Sequence, residues 1–164
     1  MELELTSVLN DHWMVNAGLT LLDTEYGEFL QEDLSVFNGV KVQIAGNPLN
    51  NAPETSIILG VTYDTILSSG SKLSLSLDGA YRSRVYFREF NNVDDSQEGY
   101  TIVNFNANWV SANEDYAARF FVSNLTDEAH VTGMYALQTT YGRQGTWNMP
   151  RQAGFEITKF FGVR

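Results

Sequence analysis

The sequence predicts an all-β protein, an antiparallel transmembrane β-barrel segment of about seven long strands. Three observations carry that expectation. Apolar and polar residues alternate with period two along most of the chain, an order that a strand sorts onto two faces and a helix would scatter. The connections between alternating runs are by turns short and long. Aromatic residues gather towards the ends of the apolar stripes, where a membrane headgroup layer suits amphipathic rings.

Taken in order, Leu3 and Leu5 oppose Glu2 and Glu4, and after the turn Asn10–His12 the set Trp13, Val15, Ala17, Leu19 and Leu21 shares a face. Ile57, Leu59, Val61 and Tyr63 follow Pro53. The clearest run is Lys72–Phe87, about sixteen residues and so longer than the usual 3–10 of a globular strand. Its apolar face carries Leu73, Leu75, Leu77, Gly79, Tyr81, Ser83, Val85 and Phe87; its polar face carries Lys72, Ser74, Ser76, Asp78, Ala80, Arg82, Arg84 and Tyr86. Val103, Phe105, Ala107 and Trp109 oppose three asparagines, and Tyr116, Ala118, Phe120 and Val122 oppose Arg119. The last strand sets Phe155, Ile157, Lys159 and Phe161 against Gly154, Glu156, Thr158 and Phe160. Asp64–Ser71 and Ser111–Asp115 are the other short links; Asp23–Pro53, Arg88–Gly99 and Thr126–Gln152 are long, with Thr132–Tyr141 a candidate hairpin in the last. Tight turns at one end and long loops at the other are the plan of outer-membrane barrels. Tyr63, Phe87, Trp109, Tyr116 and Phe161 form the expected aromatic girdle.

Composition narrows the function. A formal charge of −10 without a basic run argues against nucleic acid, which needs clustered Lys and Arg. With no cysteine in 164 residues there is no disulfide, thiolate catalyst or zinc–thiolate site. No catalytic constellation is visible, so an enzyme is not expected, nor is a cofactor. His12 and His130 lie next to turns without metal-ligand spacing, and the acidic groups Glu25, Glu28, Glu32, Asp33 and Asp94, Asp95, Glu98 read as solvated faces. The candidate ligand residues are Arg82, Arg84 and Tyr86, on the lumen side near the outer end of their strand, where arginines suit carboxylates or iron-chelate oxygens; the alternative is that they pair with loop or plug carboxylates.

Seven strands cannot close an uninterrupted antiparallel barrel, and an open edge cannot face lipid. The expectation is therefore an arc of a larger barrel, and the chain's opening inside an alternating pattern fits a fragment. If Thr132–Tyr141 supplied an eighth strand, a small closed barrel binding one ligand becomes the alternative, although its interior would then be lined by serines and asparagines.

Asn124-Leu125-Thr126-Asp127-Glu128, then Pro150-Arg151-Gln152-Ala153-Gly154 opening a strand that ends Lys159-Phe160-Phe161, resemble the closing strand pair of TonB-dependent receptors. Gly46-Asn47-Pro48-Leu49-Asn50-Asn51-Ala52-Pro53 resembles another segment of the same barrels. The resemblance implies that residues 1–164 are the last third of a 22-stranded barrel, without the plug domain. It implies an outer-membrane location and a part in energy-coupled uptake of a siderophore, haem, cobalamin or carbohydrate. The implied partners are outer-membrane lipid, the plug and remaining strands, the TonB complex reached through the absent N-terminal part, and a small-molecule substrate. Locally, Asn124 and Asp127 are suited to ending a strand by bonding backbone groups, Pro150 belongs before a strand, and Gly154 permits close packing.

Overall fold

The computed structural model describes residues 1–36, 38–136 and 142–162. Among the described residues thirteen strands follow one another: β1 Glu2–Val8, β2 Trp13–Leu21, β3 Leu30–Asp33, β4 Val40–Gln43, β5 Thr55–Ile66, β6 Lys72–Arg82, β7 Val85–Tyr86, β8 Ser96–Gln97, β9 Tyr100–Val110, β10 Tyr116–Ser123, β11 Val131–Ala136, β12 Arg143–Trp147 and β13 Gln152–Lys159. Seven of them form one antiparallel wall in the order β1-β2-β5-β6-β9-β10-β13. The other six make three two-stranded hairpins, β3-β4, β7-β8 and β11-β12, one in each long connection.

Register keeps the central rows of the two faces apart across the wall. Val61 pairs with Val15 and Leu77, Leu77 with Phe105, and Phe105 with Val122. On the other face Asn16 pairs with Gly60, Gly60 with Asp78, and Asp78 with Asn104. A slip of one residue between any two strands would put leucine among these polar groups, so the pattern itself fixes the pairing. The polar face is knitted by side chains: Asn104 Nδ2 donates to Asp78 at 2.8 Å and Arg119 to Asn106 at 3.0 Å. Gly154 sits directly under the Phe121 ring, which would overlap a Cβ at that position, so its lack of a side chain is what lets the ring lie across β13 where it pairs with β10.

The apolar face is left without protein cover. Leu59 is 52% exposed and Phe155 65%. Among the described residues the buried apolar side chains are Ile44, Phe87 and Val122, and the first two lie outside the wall. A water-soluble sheet protein would bury that face against a second layer; here exposed Leu3, Leu59, Leu77, Phe120, Phe155 and Ile157 lie along it from β1 to β13.

The short turns are built locally. Asn10 Oδ1 accepts the backbone N–H of His12 at 2.9 Å and of Trp13 at 3.1 Å, closing the β1–β2 link. At this end Trp13 and Tyr63 pack with ring centroids 4.8 Å apart, a contact worth about 0.5–1.5 kcal/mol beyond burial. Lys159, the one charge in the apolar stripe of β13, lies over the rings of Tyr116 at 5.3 Å and Phe161 at 5.0 Å. Its ammonium is thus held in the aromatic band and not extended alone.

Two expectations need correction, and the choice at Thr132–Tyr141 between a loop hairpin and an eighth wall strand falls to the hairpin over its described part. The run Lys72–Phe87 is not one strand: β6 ends at Arg82 and β7 turns away to pair with β8. The cause is the neighbour. Ser83 meets Thr55, the first residue of β5, donating its N–H to Thr55 O at 2.9 Å and accepting the Thr55 N–H at 3.0 Å, and no partner strand continues beyond it. Phe87 consequently leaves the aromatic girdle and is buried in the loops, its N–H on Asp95 O at 2.8 Å. The Thr132–Tyr141 segment contributes β11 over its first part, but β11 pairs with β12 and not with the wall, so it supplies no eighth wall strand; residues 137–141 lie outside the described residues.

Candidate functional site

The three long connections meet at one end of the wall and are tied together by charge. Asp33, at the end of β3, accepts Arg88 Nη2 at 2.6 Å, the Ser35 hydroxyl at 2.6 Å and the Ser35 N–H at 2.9 Å. Arg88 Nη1 reaches Asp95 at 3.1 Å and Ser35 Oγ at 3.0 Å, and Asp95 also accepts Arg143 Nε at 2.6 Å. Residues from β3, from the segment after β7, from the short 3-10 turn Val93–Asp95 and from β12 thus share one chain of ion pairs. Burial raises the Asp33 pKa, but the Ser35 and Arg88 hydrogen bonds outweigh it and hold the carboxyl below its ordinary value. A cleft of about 560 Å³ opens beside this knot, between Asp33, Ser35, Asn92, Asp94 and Arg143.

Two further hubs fasten the loops. Asn124, at φ 53°, donates Nδ2 to Glu128 O at 2.8 Å and Met149 O at 3.2 Å, and accepts the Glu128 N–H at 2.9 Å. Asp127, at φ 57°, accepts the Arg151 N–H at 2.8 Å. These bonds end β10 and start β13, as the residue types predict, with Pro150 ahead of the strand. The Gly46–Pro53 segment is the other hub: Asn47 Nδ2 donates to Glu89 O at 2.8 Å, and Asn51 N–H to Tyr86 O at 2.9 Å.

The predicted ligand residues separate. Arg84 is engaged, donating to Ser96 Oγ at 3.0 Å and pairing with Glu98. Tyr86 lies in the β7-β8 hairpin, half-buried, and its carbonyl holds Asn51. Arg82 ends β6 on the polar face, paired in register with Tyr100. With His130 it lines a cavity of about 360 Å³ under the loops. His130 is buried and stacked on Tyr100, ring centroids 3.7 Å apart and planes 14° from parallel. Burial pushes its pKa below the usual histidine value; Glu128 opposes this and Arg82 adds to it.

Sequence reasoning assigned the acidic groups to solvated faces, and that holds for Asp94, whose side chain is 77% exposed, but not for Asp95, fully buried, or Asp33, nearly so. It also passed over Ser35, Arg88, Arg143 and Tyr100. No local signal marks them, because Arg88 and Asp33 are 55 residues apart in sequence.

Residues 1–125 match the family model described as TonB dependent receptor-like, beta-barrel. Among solved structures, the chain is similar to the ferric yersiniabactin uptake receptor FyuA from Yersinia pestis, with a TM-score of 0.78 and 20% identity over 98% of this chain and 23% of that one. It is likewise similar to the siderophore receptor PiuA from Acinetobacter baumannii, with a TM-score of 0.71 and 23% identity over 95% of this chain and 20% of that one. The chain therefore spans about a fifth to a quarter of the length of the receptors it matches. No curated protein sequence matches it. The family match and a seven-stranded wall of the same shape lead to one conclusion: the chain belongs to the TonB-dependent receptor-like β-barrel family.

Proposed function

We propose that residues 1–164 form the C-terminal part of the barrel wall and outer mouth of an outer-membrane receptor that takes up a small molecule by energy-coupled transport. The observation that carries this reading is the two-faced open wall. Its apolar face suits lipid, its polar face suits a wet lumen, and its outer strands β1 and β13 each leave an edge for further strands. The remaining strands, a plug, the TonB complex and outer-membrane lipid are the partners this reading requires. Arg82, Arg84 and Tyr86 stand at the long-loop end, where a substrate enters, and the substrate class is a siderophore, haem, cobalamin or carbohydrate. A self-contained ligand-binding barrel draws no support from a wall whose first and last strands are unpaired with each other.

Residues 1–164 contain no cysteine, so an introduced thiol is unique within them, and the unaltered receptor supplies the labelling background. In the full-length receptor, Tyr135→Cys on the β11-β12 hairpin is expected to react with an impermeant maleimide on intact cells, and Asn113→Cys in a short turn only after lysis. Uptake of ferric siderophores, haem, cobalamin and oligosaccharides is then measured with and without the proton gradient. The expected result is gradient-dependent uptake of at least one. Labelling of Asn113→Cys on intact cells, or uptake of none, would overturn the reading.

A further inference from the structure

We infer that Arg82, with the Tyr100–His130 stack, forms a subsite for a small carboxylate carried on an apolar body; this rests on the uptake reading above. Arg82 is set apart from the other described arginines by its lack of a partner. Arg84, Arg88, Arg119, Arg143 and Arg151 each donate to protein acceptors, whereas no hydrogen bond or ion pair engages the Arg82 guanidinium among the described residues. An unpaired arginine is notable in a chain that carries twenty carboxylates and a formal charge of −10. Arg82 is itself exposed and stands at the rim of a cavity. The cavity it lines, about 360 Å³, lies within the size range of small-ligand sites and has Val85, Phe87 and Ile102 on its walls but no carboxylate.

The ligand class follows from these groups. A guanidinium offers paired N–H donors that match a carboxylate, and the apolar walls favour a hydrocarbon body over a hydrated sugar or an inorganic ion. Glu128, which acts on His130 electrostatically, does not line the cavity. Tyr100 is held opposite Arg82 by strand register, and His130 is held against Tyr100 by its burial and by its backbone N–H, which donates to Asn148 Oδ1 at 2.9 Å. His130 also brings a buried Nδ1 with no hydrogen-bond partner. The site is thus a wall with one cation at its rim, built from β6, β9 and all three long connections.

The probe is 4-fluorobenzoate, followed by fluorine NMR line broadening on the full-length receptor in detergent, with 4-fluorobenzylammonium as the oppositely charged ligand of similar shape. We expect the benzoate to bind and the ammonium not to. Arg82→Gln should weaken benzoate at least tenfold, Val131→Trp should abolish binding by filling the cavity, and Arg151→Gln should leave it within twofold. Equal binding of the two probes, or unchanged benzoate affinity in both Arg82→Gln and Val131→Trp, would overturn the subsite. If Arg82→Gln fails to assemble, the charge preference of the unaltered receptor and the Val131→Trp result decide the matter. Intact gradient-driven uptake without benzoate binding overturns the subsite alone, and benzoate binding without any uptake overturns the transport reading alone.

Discussion

Removing Arg88 should release the long loops from one another while leaving the wall intact. Arg88→Leu leaves Asp33 with only Ser35 and Asp95 with only Arg143, and both carboxylates are almost wholly buried. Stripping the cation from a buried pair typically costs about 3–5 kcal/mol, and the upper part of that range applies because two anions lose the same partner. Asp95→Ala should cost less, about 1.5–3 kcal/mol, since Arg88 keeps its 2.6 Å bond to Asp33. Arg143→Gln should cost least, under about 1 kcal/mol, because the Arg143 side chain is 42% exposed and water screens its interactions. Hydrogen exchange in the full-length receptor reads these numbers directly. Each loss of 1.4 kcal/mol speeds exchange by local opening about tenfold, so a loss of about 4–5 kcal/mol should make the Phe87 amide, bonded to Asp95 O, exchange roughly three to three and a half powers of ten faster in Arg88→Leu. The Asn106 amide in β9 is the internal control. If Phe87 exchanges at its original rate, or if Arg143→Gln outranks Arg88→Leu, the three loops are not held by this ion network.

Charge placed on the wall should be tolerated on one face only. Phe105→Arg and Leu77→Arg lie on the apolar face near strand centres and should cost about 2–4 kcal/mol on refolding into lipid vesicles, against under about 1 kcal/mol for Asn106→Arg and Ser76→Arg; equal penalties would sink the lipid-face assignment. Acid should loosen the last long loop through His130. Its folded pKa is lowered from 6.5, so the unfolded loop binds the proton more readily. The stability from neutral, buried His130 is therefore whole above pH 6.5 and is lost as pH falls through the folded value. Protection factors near His130, which discount the intrinsic slowing of exchange in acid, should fall between pH 7 and 5 in the native receptor and not in His130→Gln; identical profiles would refute the linkage.

The wall was legible because its rules are local. Alternation from Trp13 to Leu21 or Val103 to Trp109 states which residues share a face, and register then follows from matching apolar stripes. The short turns were legible for the same reason, as Asn10 bonds residues two and three places on. Asn124 and Asp127 were readable as strand-enders, although the partners of Asn124 at Met149, and of Asp127 at Arg151, lie across the last loop. The error at Lys72–Phe87 arose where locality ended: Ser83 continues the alternation faultlessly, but the strand beside it begins at Thr55, and only tertiary context contains that fact.

The candidate site resisted reading because its energetics depend on long-range pairing. Asp94 and Asp95 are identical neighbours on one short 3-10 turn, yet the first points to solvent and the second is sealed between two arginines. Nothing in composition or spacing distinguishes them. What distinguishes them is that Arg88 stands seven residues away on the far side of the hairpin while Arg143 arrives from β12, 48 residues on. A buried carboxylate needs a cation beside it, so Asp95 depends on the sheltered Arg88, and the half-exposed Arg143 adds a weaker tie when the last loop docks. The same dependence bears on the Arg82 cavity. Val131 and His130 belong to the loop that carries Arg143, so the cavity is complete only while that loop is held in place. Loop docking and ligand access are therefore coupled through one hub: weakening Arg88 should loosen the wall of a pocket it does not line. Arg88→Leu should accordingly weaken fluorobenzoate as well as speed Phe87 exchange, whereas Arg82→Gln should weaken fluorobenzoate and leave Phe87 exchange unchanged. A variant pair that moved both readouts together would remove the distinction between the knot and the subsite.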